Sequence, residues 1–421
     1  MYQLSQLANG CRIASAYLPS MSSVCVGVWA GTGSRHESAQ QGGISHFIEH
    51  MLFKGTTGRT AKAITESVES LGGYLNAFTS EENTCYYARA SSRHFATLSD
   101  VLMDMAMNPT FLKEELTKER EVILEELAMI MDLPHQRVLE MLNEVCWPNH
   151  PLGRCITGTP ETLVSMNAGR LRRFWGKHYH ASNLLVAVAG PLEHRQVVRR
   201  LRPLARKLPS GIPPHEKAVR SRQRHPGLIH LRRSSEQVQL AIGIKTNSRH
   251  DSNQYALRIL NTILGENMSS RLFQSLREDH GLAYSIYSSL GFFNDAGLMT
   301  IAAGIEATNI PRSLQLIKQI LEELCQKPPS VKEIHQARDY LIGQLELHLE
   351  NTENHMIWLG EHVLGFGHPP IQNQFQNRLQ CVTPNAVWTA AQKTFRPQHM
   401  NLAAVGPVAK RQLSPFQHWM S

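Results

Sequence analysis

No stretch of this 421-residue chain reaches the roughly 18 consecutive apolar residues that a membrane-crossing helix needs, so no membrane span is expected. The opening MYQLSQLANGCRIA has no basic segment followed by an apolar one, so no secretory signal is read there and a cytoplasmic location is expected. Cysteine is scarce and unpatterned: there are seven, an odd number, with no CxxC spacing, which argues against a disulfide framework and fits a reducing compartment. The net charge of +8 comes without any block of five or six Lys/Arg. The densest stretch, Arg199-Arg200 to Arg206-Lys207, is spaced like the solvated face of a helix, so a nucleic-acid partner is not expected. What remains is a globular composition, 42% hydrophobic and 19% charged, in a chain long enough for about two to four units with good cores.

Against this background one segment stands out. Gly42 to Phe53 reads GGISHFIEHMLF, an apolar helical run interrupted by His46, Glu49 and His50. At 3.6 residues per turn these fall at i, i+3 and i+4, so two imidazoles and a carboxylate project from one face. Two neutral imidazoles one turn apart can take two corners of a tetrahedral Zn²⁺, with room left for a third protein ligand and a water. A carboxylate beside them is placed to handle that water's proton at neutral pH. His-x-x-Glu-His reverses the order of the His-Glu-x-x-His zincin helix and is the inverzincin pattern. The alternative is an amphipathic helix whose histidines are ordinary core or surface residues. Burying three polar groups without a metal would leave them unsatisfied.

The rest of the chain reads as a duplication. LPSGIPPHEKAVRSRQRHP, at 208–226, concentrates Pro, Gly and charge, which marks a linker. Ser34-Arg35-His36-x-Ser38 recurs as Ser248-Arg249-His250-x-Ser252, and LLVAVAGP at 184–191 recurs as MNLAAVGP at 400–407. Two matches far apart in the chain, with offsets that differ by only two positions, point to tandem domains of one fold. The boundaries read from the sequence are 1–212, a linker over 213–225, and 226–421. The repeat also supplies a control, because the offset of the first match carries His46, Glu49 and His50 onto Leu260, Ile263 and Leu264. A helix of this fold packs without polar residues there, so their presence in the first half needs another reason.

With these motifs in place, the chain resembles the insulysin/pitrilysin class of inverzincin peptidases over nearly its whole length, most closely the subgroup of mitochondrial processing peptidases and their bacterial relatives. The resemblance implies an α+β fold of two homologous domains, each an antiparallel sheet flanked by α-helices, forming a clamshell around a cavity. In that family the third ligand is a glutamate within a pattern like E-R-x-V-I-x-x-E. Here the matching text runs from Glu119 to Glu126, which implies one Zn²⁺ held by His46, His50 and Glu126, with Glu119 supporting from behind. The residues themselves place Glu119, Val122, Ile123 and Glu126 on one helical stripe but do not choose between Glu125 and Glu126.

Two more segments take their roles from the resemblance. Asn76-Ala77-Phe78-Thr79 matches a sheet edge that pairs with substrate backbone, implying recognition of extended peptides by strand addition. Arg277 and Tyr284 match a pair that holds the substrate carbonyl and its developing oxyanion. Read alone, they would be an arginine in the last turn of a helix and a buried strand tyrosine. Glu81-Glu82, beside the edge strand, weakly suggests a taste for basic residues near the cleavage site. The expected activity is a zinc metalloendopeptidase acting on peptides or unfolded segments, with Glu49 as general base. The alternative is a non-catalytic or regulatory subunit of the same fold. Because both residue sets are complete on one chain, a homodimer is expected, with a heterodimer with a related subunit as the alternative.

Overall fold

The computed structural model describes every residue except 1, 220–222, 224, 372, 418, 420 and 421. It forms two compact α+β units, the first made of Met1–Ala128, Arg154–Lys217 and Glu346–Gln372, the second of Met129–Gly153, Ala218–Leu345 and Asn373–Ser421. Each is built on one sheet. In the first, strands β1 (Tyr2–Gln6), β2 (Arg12–Tyr17), β3 (Ser23–Ala30), β4 (Tyr74–Thr79), β5 (Thr84–Ser91) and β6 (Leu184–Gly190) lie in the order β1-β2-β6-β3-β5-β4. In the second, β7 (Leu228–Arg232), β8 (Val238–Thr246), β9 (Ala283–Phe292), β10 (Gly297–Ile305) and β11 (Met400–Gly406) lie in the order β7-β11-β8-β10-β9.

The two orders superimpose once β1 is set aside, as the duplicated sequence requires. Both sheets are predominantly antiparallel, and each contains one parallel pair at the matching place, β2–β6 and β7–β11. The parallel pairs refine the expected antiparallel sheets. Each joins strands from opposite ends of its repeat, so no hairpin constrains their direction.

Five helices set the cores and the site: α1 (Ile44–Leu52), α2 (Lys113–Asp132), α3 (Pro134–Cys146), α4 (Gln254–Asn261) and α5 (Thr352–Phe366). The first unit takes α5 from the second half of the sequence, and the second unit takes α3 from the first half. Strand β3, SVCVGVWA, shows why an unbroken apolar run is needed. Its Cys25 and Trp29 face Met356, Leu359 and Val363 of α5, while the intervening valines are buried on the opposite side. In the second unit Val138, Met141, Leu142 and Cys146 of α3 pack on Ala241, Leu298 and Ala403 in the same manner. All seven cysteines are free, in line with the absence of a disulfide pattern.

Glycine permits the close approach of helix to sheet in both units. A Cβ on Gly27 would sit 2.3 Å from Met356 Sδ, and one on Gly243, at the corresponding place on β8, would sit 2.6 Å from Cys146 Sγ. On the helix side, a Cβ on Gly360 would lie 2.2 Å from the Trp29 indole. Gly360→Ala should therefore lower unfolding stability by about 1–3 kcal/mol in urea denaturation, the usual cost of overpacking a rigid core. Gly343→Ala, in a helix where nothing lies within 4 Å of the added methyl, should raise it by roughly 0.5–1 kcal/mol.

Candidate metal centre

Helix α1 begins where the sequence loses its freedom to continue as loop. Gly43, with φ of 88°, turns the chain into the helix, and a Cβ there would meet the Thr157 carbonyl oxygen at 2.5 Å. The buried Glu37 carboxylate accepts from the Gly43 and Ser45 amides, both at 2.8 Å, so it satisfies first-turn donors and complements the helix dipole. Burial pushes its pKa up to about 7, against the pull of the Ser45 and Gly43 bonds. Glu37 occupies the variable position of the repeated Ser-Arg-His-x-Ser motif, and Asp251 stands at its counterpart. The repeated motif leaves that position variable, and an acid a few residues ahead of α1 is the sequence signal for it.

From this start, α1 brings His46, Glu49 and His50 to one side, and α2 supplies the acids that face them. Ligand atoms of His46, His50 and Glu126 lie within 4.8 Å of one another. Glu126 Oε2 is 3.6 Å from Nε2 of both His46 and His50. A tetrahedral ion with bonds of about 2.1 Å needs ligand atoms about 3.4 Å apart, so this set fits Zn²⁺. His46 Nδ1 is buried with no hydrogen-bond partner among the described residues. Glu119 Oε2 lies 3.1 Å from His50 Nδ1 and Oε1 lies 2.7 Å from Lys54 Nζ, which fixes the ring with Nε2 directed toward Glu126.

The electrostatics are those of a cation site. Burial, then the neighbouring His50, lowers the His46 pKa to about 4 against the pull of Glu126, keeping that ring neutral and able to donate a lone pair. For His50 burial works downward but is outweighed by the bonds to Glu119 and Glu126, and its pKa is pushed up to about 9. Glu49 is not in the ligand set; its carboxylate accepts from Thr79 Oγ1 at 2.5 Å, and burial raises its pKa against that bond.

On α2 the sequence-based stripe needs one revision. Glu119 and Ile123 are buried and Glu126 is partly so, but Val122 is 50% exposed, because the helix turns it away from the site. Glu125 is exposed, and only Glu126 reaches the histidines.

Among the described residues strand β4 is the edge of its sheet, paired with β5 alone. Asn76 is exposed and its side-chain oxygen accepts from the Ala77 amide at 2.8 Å. Phe78 instead packs edge-on against Trp29 at 5.4 Å, so its partly buried side chain leans on the core. A cavity of about 480 Å³ joins this edge to the metal helix, with Glu49, His50, Phe53, Lys62, Asn76 and Ala77 among its walls.

Residues 12–160 match the family described as insulinase (peptidase family M16), and residues 165–341 match the family's "inactive domain". A relative named as an uncharacterized zinc protease in Bacillus subtilis is 36% identical over 95% of this chain and 97% of its own length. The chain belongs to peptidase family M16. A Streptomyces coelicolor M16 relative, also named an uncharacterized zinc protease, is 36% identical over 97% of the chain and 90% of its own length. Among solved structures, a protease from Helicobacter pylori matches with a TM-score of 0.89 at 21% identity, covering 97% of this chain and 99% of that one. An M16 inactive-domain protein from Pseudomonas fluorescens matches with a TM-score of 0.89 at 20% identity, covering 97% and 98%. Both establish the two-unit M16 fold.

The second half of this M16 chain has the unadorned core that its sequence implies. Leu260, Ile263 and Leu264 are buried along α4 and the π-helical turn Thr262–Glu266 that extends it. Arg277 lies in a second π-helical turn, Phe273–Asp279, and its guanidinium stands 5.8 Å from the Tyr284 ring. Tyr284 is 75% exposed on the edge strand β9, which rules out the reading of a buried strand tyrosine.

The repeated Ser-Arg-His-x-Ser motif has a matching task in both units. Arg35 is fully buried; its amide donates to the Glu81 carbonyl, and its guanidinium pairs with Glu82 at 2.7 Å and Glu216 at 3.5 Å. Arg249 likewise donates from its amide to the Phe293 carbonyl and from its guanidinium to the Phe292 carbonyl. Each arginine thus pins the turn that follows its sheet's edge strand. Because Glu82 is engaged by Arg35, the suggested attraction of Glu81-Glu82 for basic substrate residues loses half of its basis.

Proposed function

We propose that this protein is a zinc metalloendopeptidase that hydrolyses peptides or unfolded segments added as a strand along Asn76–Thr79. The observation that carries the reading is the convergence of His46, His50 and Glu126 with Glu49 beside them and outside the ligand set. Zinc held by those three side chains would acidify water and polarise a peptide carbonyl. Glu49 takes the proton from the water that attacks the scissile carbonyl and returns it to the leaving amine. Glu119 holds His50 in its ligating orientation through Nδ1. Arg277 and Tyr284 serve as donors to the carbonyl oxygen as it gains charge, and a homodimer is the working form. The names of the M16 relatives, zinc proteases, support the metal and the hydrolysis.

The test is cleavage of a mixed peptide library by the purified protein, with and without a chelator. Cuts within extended peptides that vanish on chelation and return with zinc support the proposal. A protein that ignores every peptide after zinc is restored is instead a binding or scaffold subunit. Metal titration separates the acids of α2. Glu119→Gln should weaken zinc binding about 10–100-fold, the usual loss when a residue supporting a ligand is removed. Glu126→Gln should weaken it further, and Glu125→Gln should leave it unchanged, as measured by competition with a chromophoric chelator.

A further inference from the structure

Thr79 closes strand β4, the edge proposed to receive the peptide, and its hydroxyl donates to Glu49 Oε2 at 2.5 Å. Among the described residues no other side chain or backbone group makes a hydrogen bond to that carboxylate. Thr79 lies directly across from the fully buried Thr84 on β5, whose hydroxyl donates to the Thr32 carbonyl. Helix α1 packs against β4, so the strand and the metal helix meet at this contact.

We infer that Thr79 is a positioning residue for the hydrolytic step, anchoring one oxygen of Glu49 so that the other is presented to the attacking water. A glutamate has three side-chain torsions, and an untethered carboxylate would spend much of its time away from the productive orientation. A tether from the peptide-receiving strand means that the element which aligns the substrate backbone also aligns the base. This rests on Glu49 being the base, as proposed above, and adds a role to Thr79 beyond offering its backbone to a peptide. The hydroxyl acts on the base and makes no demand on the substrate, so its loss should appear in turnover and not in binding.

The experiment compares steady-state cleavage of a quenched peptide by the zinc-loaded protein, Thr79→Val, Thr79→Ser and Glu49→Gln. Thr79→Val keeps the branched shape without the donor; kcat should fall about ten- to a hundred-fold, the range for losing a charge-assisted hydrogen bond or misplacing a reacting group. KM should stay within about twofold, and zinc content and melting temperature should match the parent. Thr79→Ser, which restores the donor, should recover most of kcat. The inference is overturned if Thr79→Val keeps kcat, if its defect lies in KM, or if Thr79→Ser is as impaired as Thr79→Val. Full activity in Glu49→Gln would overturn the assignment of the base itself, a result distinct from the other three.

Discussion

Glu49→Gln should retain its zinc and lose about 10²- to 10⁴-fold in kcat, the range that a positioned acid–base group contributes. Glutamine has nearly the same shape and can still accept from Thr79, so α1 and the ligands should not move. What it lacks is the capacity to take a proton from water and pass it to an amine. The arrangement is the one the proposal needs: ligand atoms of His46, His50 and Glu126 gather on one another, while Glu49 accepts from Thr79. Inductively coupled plasma analysis of zinc content, run beside peptide kinetics, checks both halves of the prediction. A variant that lost its metal would make Glu49 a ligand, and one that kept full turnover would remove it from the chemistry.

The site was legible in the sequence because its main signal is local. Three polar residues at helical spacing in an apolar run have few explanations, and the duplicated half shows leucine and isoleucine where they stand. Glu126 was less legible. Periodicity put Glu119 and Glu126 on one stripe, but Val122 is exposed, and only the family resemblance preferred Glu126 to Glu125; in the structure Glu126 is the one 3.6 Å from both histidines. Glu37 and the pairing of Arg35 with Glu82 stayed hidden because they depend on a loop closing on a helix start and on a distant turn, for which sequence has no period. The two-fold repeat followed from the offsets, and the α+β class from the family resemblance. The exchange of α3 and α5 did not, since an amphipathic stripe says that a helix must be covered and not which sheet will cover it.

That exchange makes the largest stability prediction. A chain cut between Lys217 and Ala218 gives a first fragment with the β1–β6 sheet but without α5, and a second with the β7–β11 sheet but without α3. The first loses Met356, Leu359 and Val363 from its core, all fully buried, at about 1.5–3 kcal/mol each. A loss of roughly 5–9 kcal/mol is comparable with the whole stability of an ordinary domain, about 5–15 kcal/mol. Neither fragment alone should show a cooperative thermal transition by circular dichroism, and mixing the two should restore one along with zinc-dependent cleavage. A first fragment that melts cooperatively without its complement would show that α5 is dispensable to that core.

The same arrangement bears on how such a chain could arise. A half-length ancestor carrying one sheet and one outgoing helix would have left its own sheet bare, and could have covered it only by receiving the helix of an identical neighbour while lending its own. Joining the two halves in one chain turns what would be a concentration-dependent partnership into a permanent one.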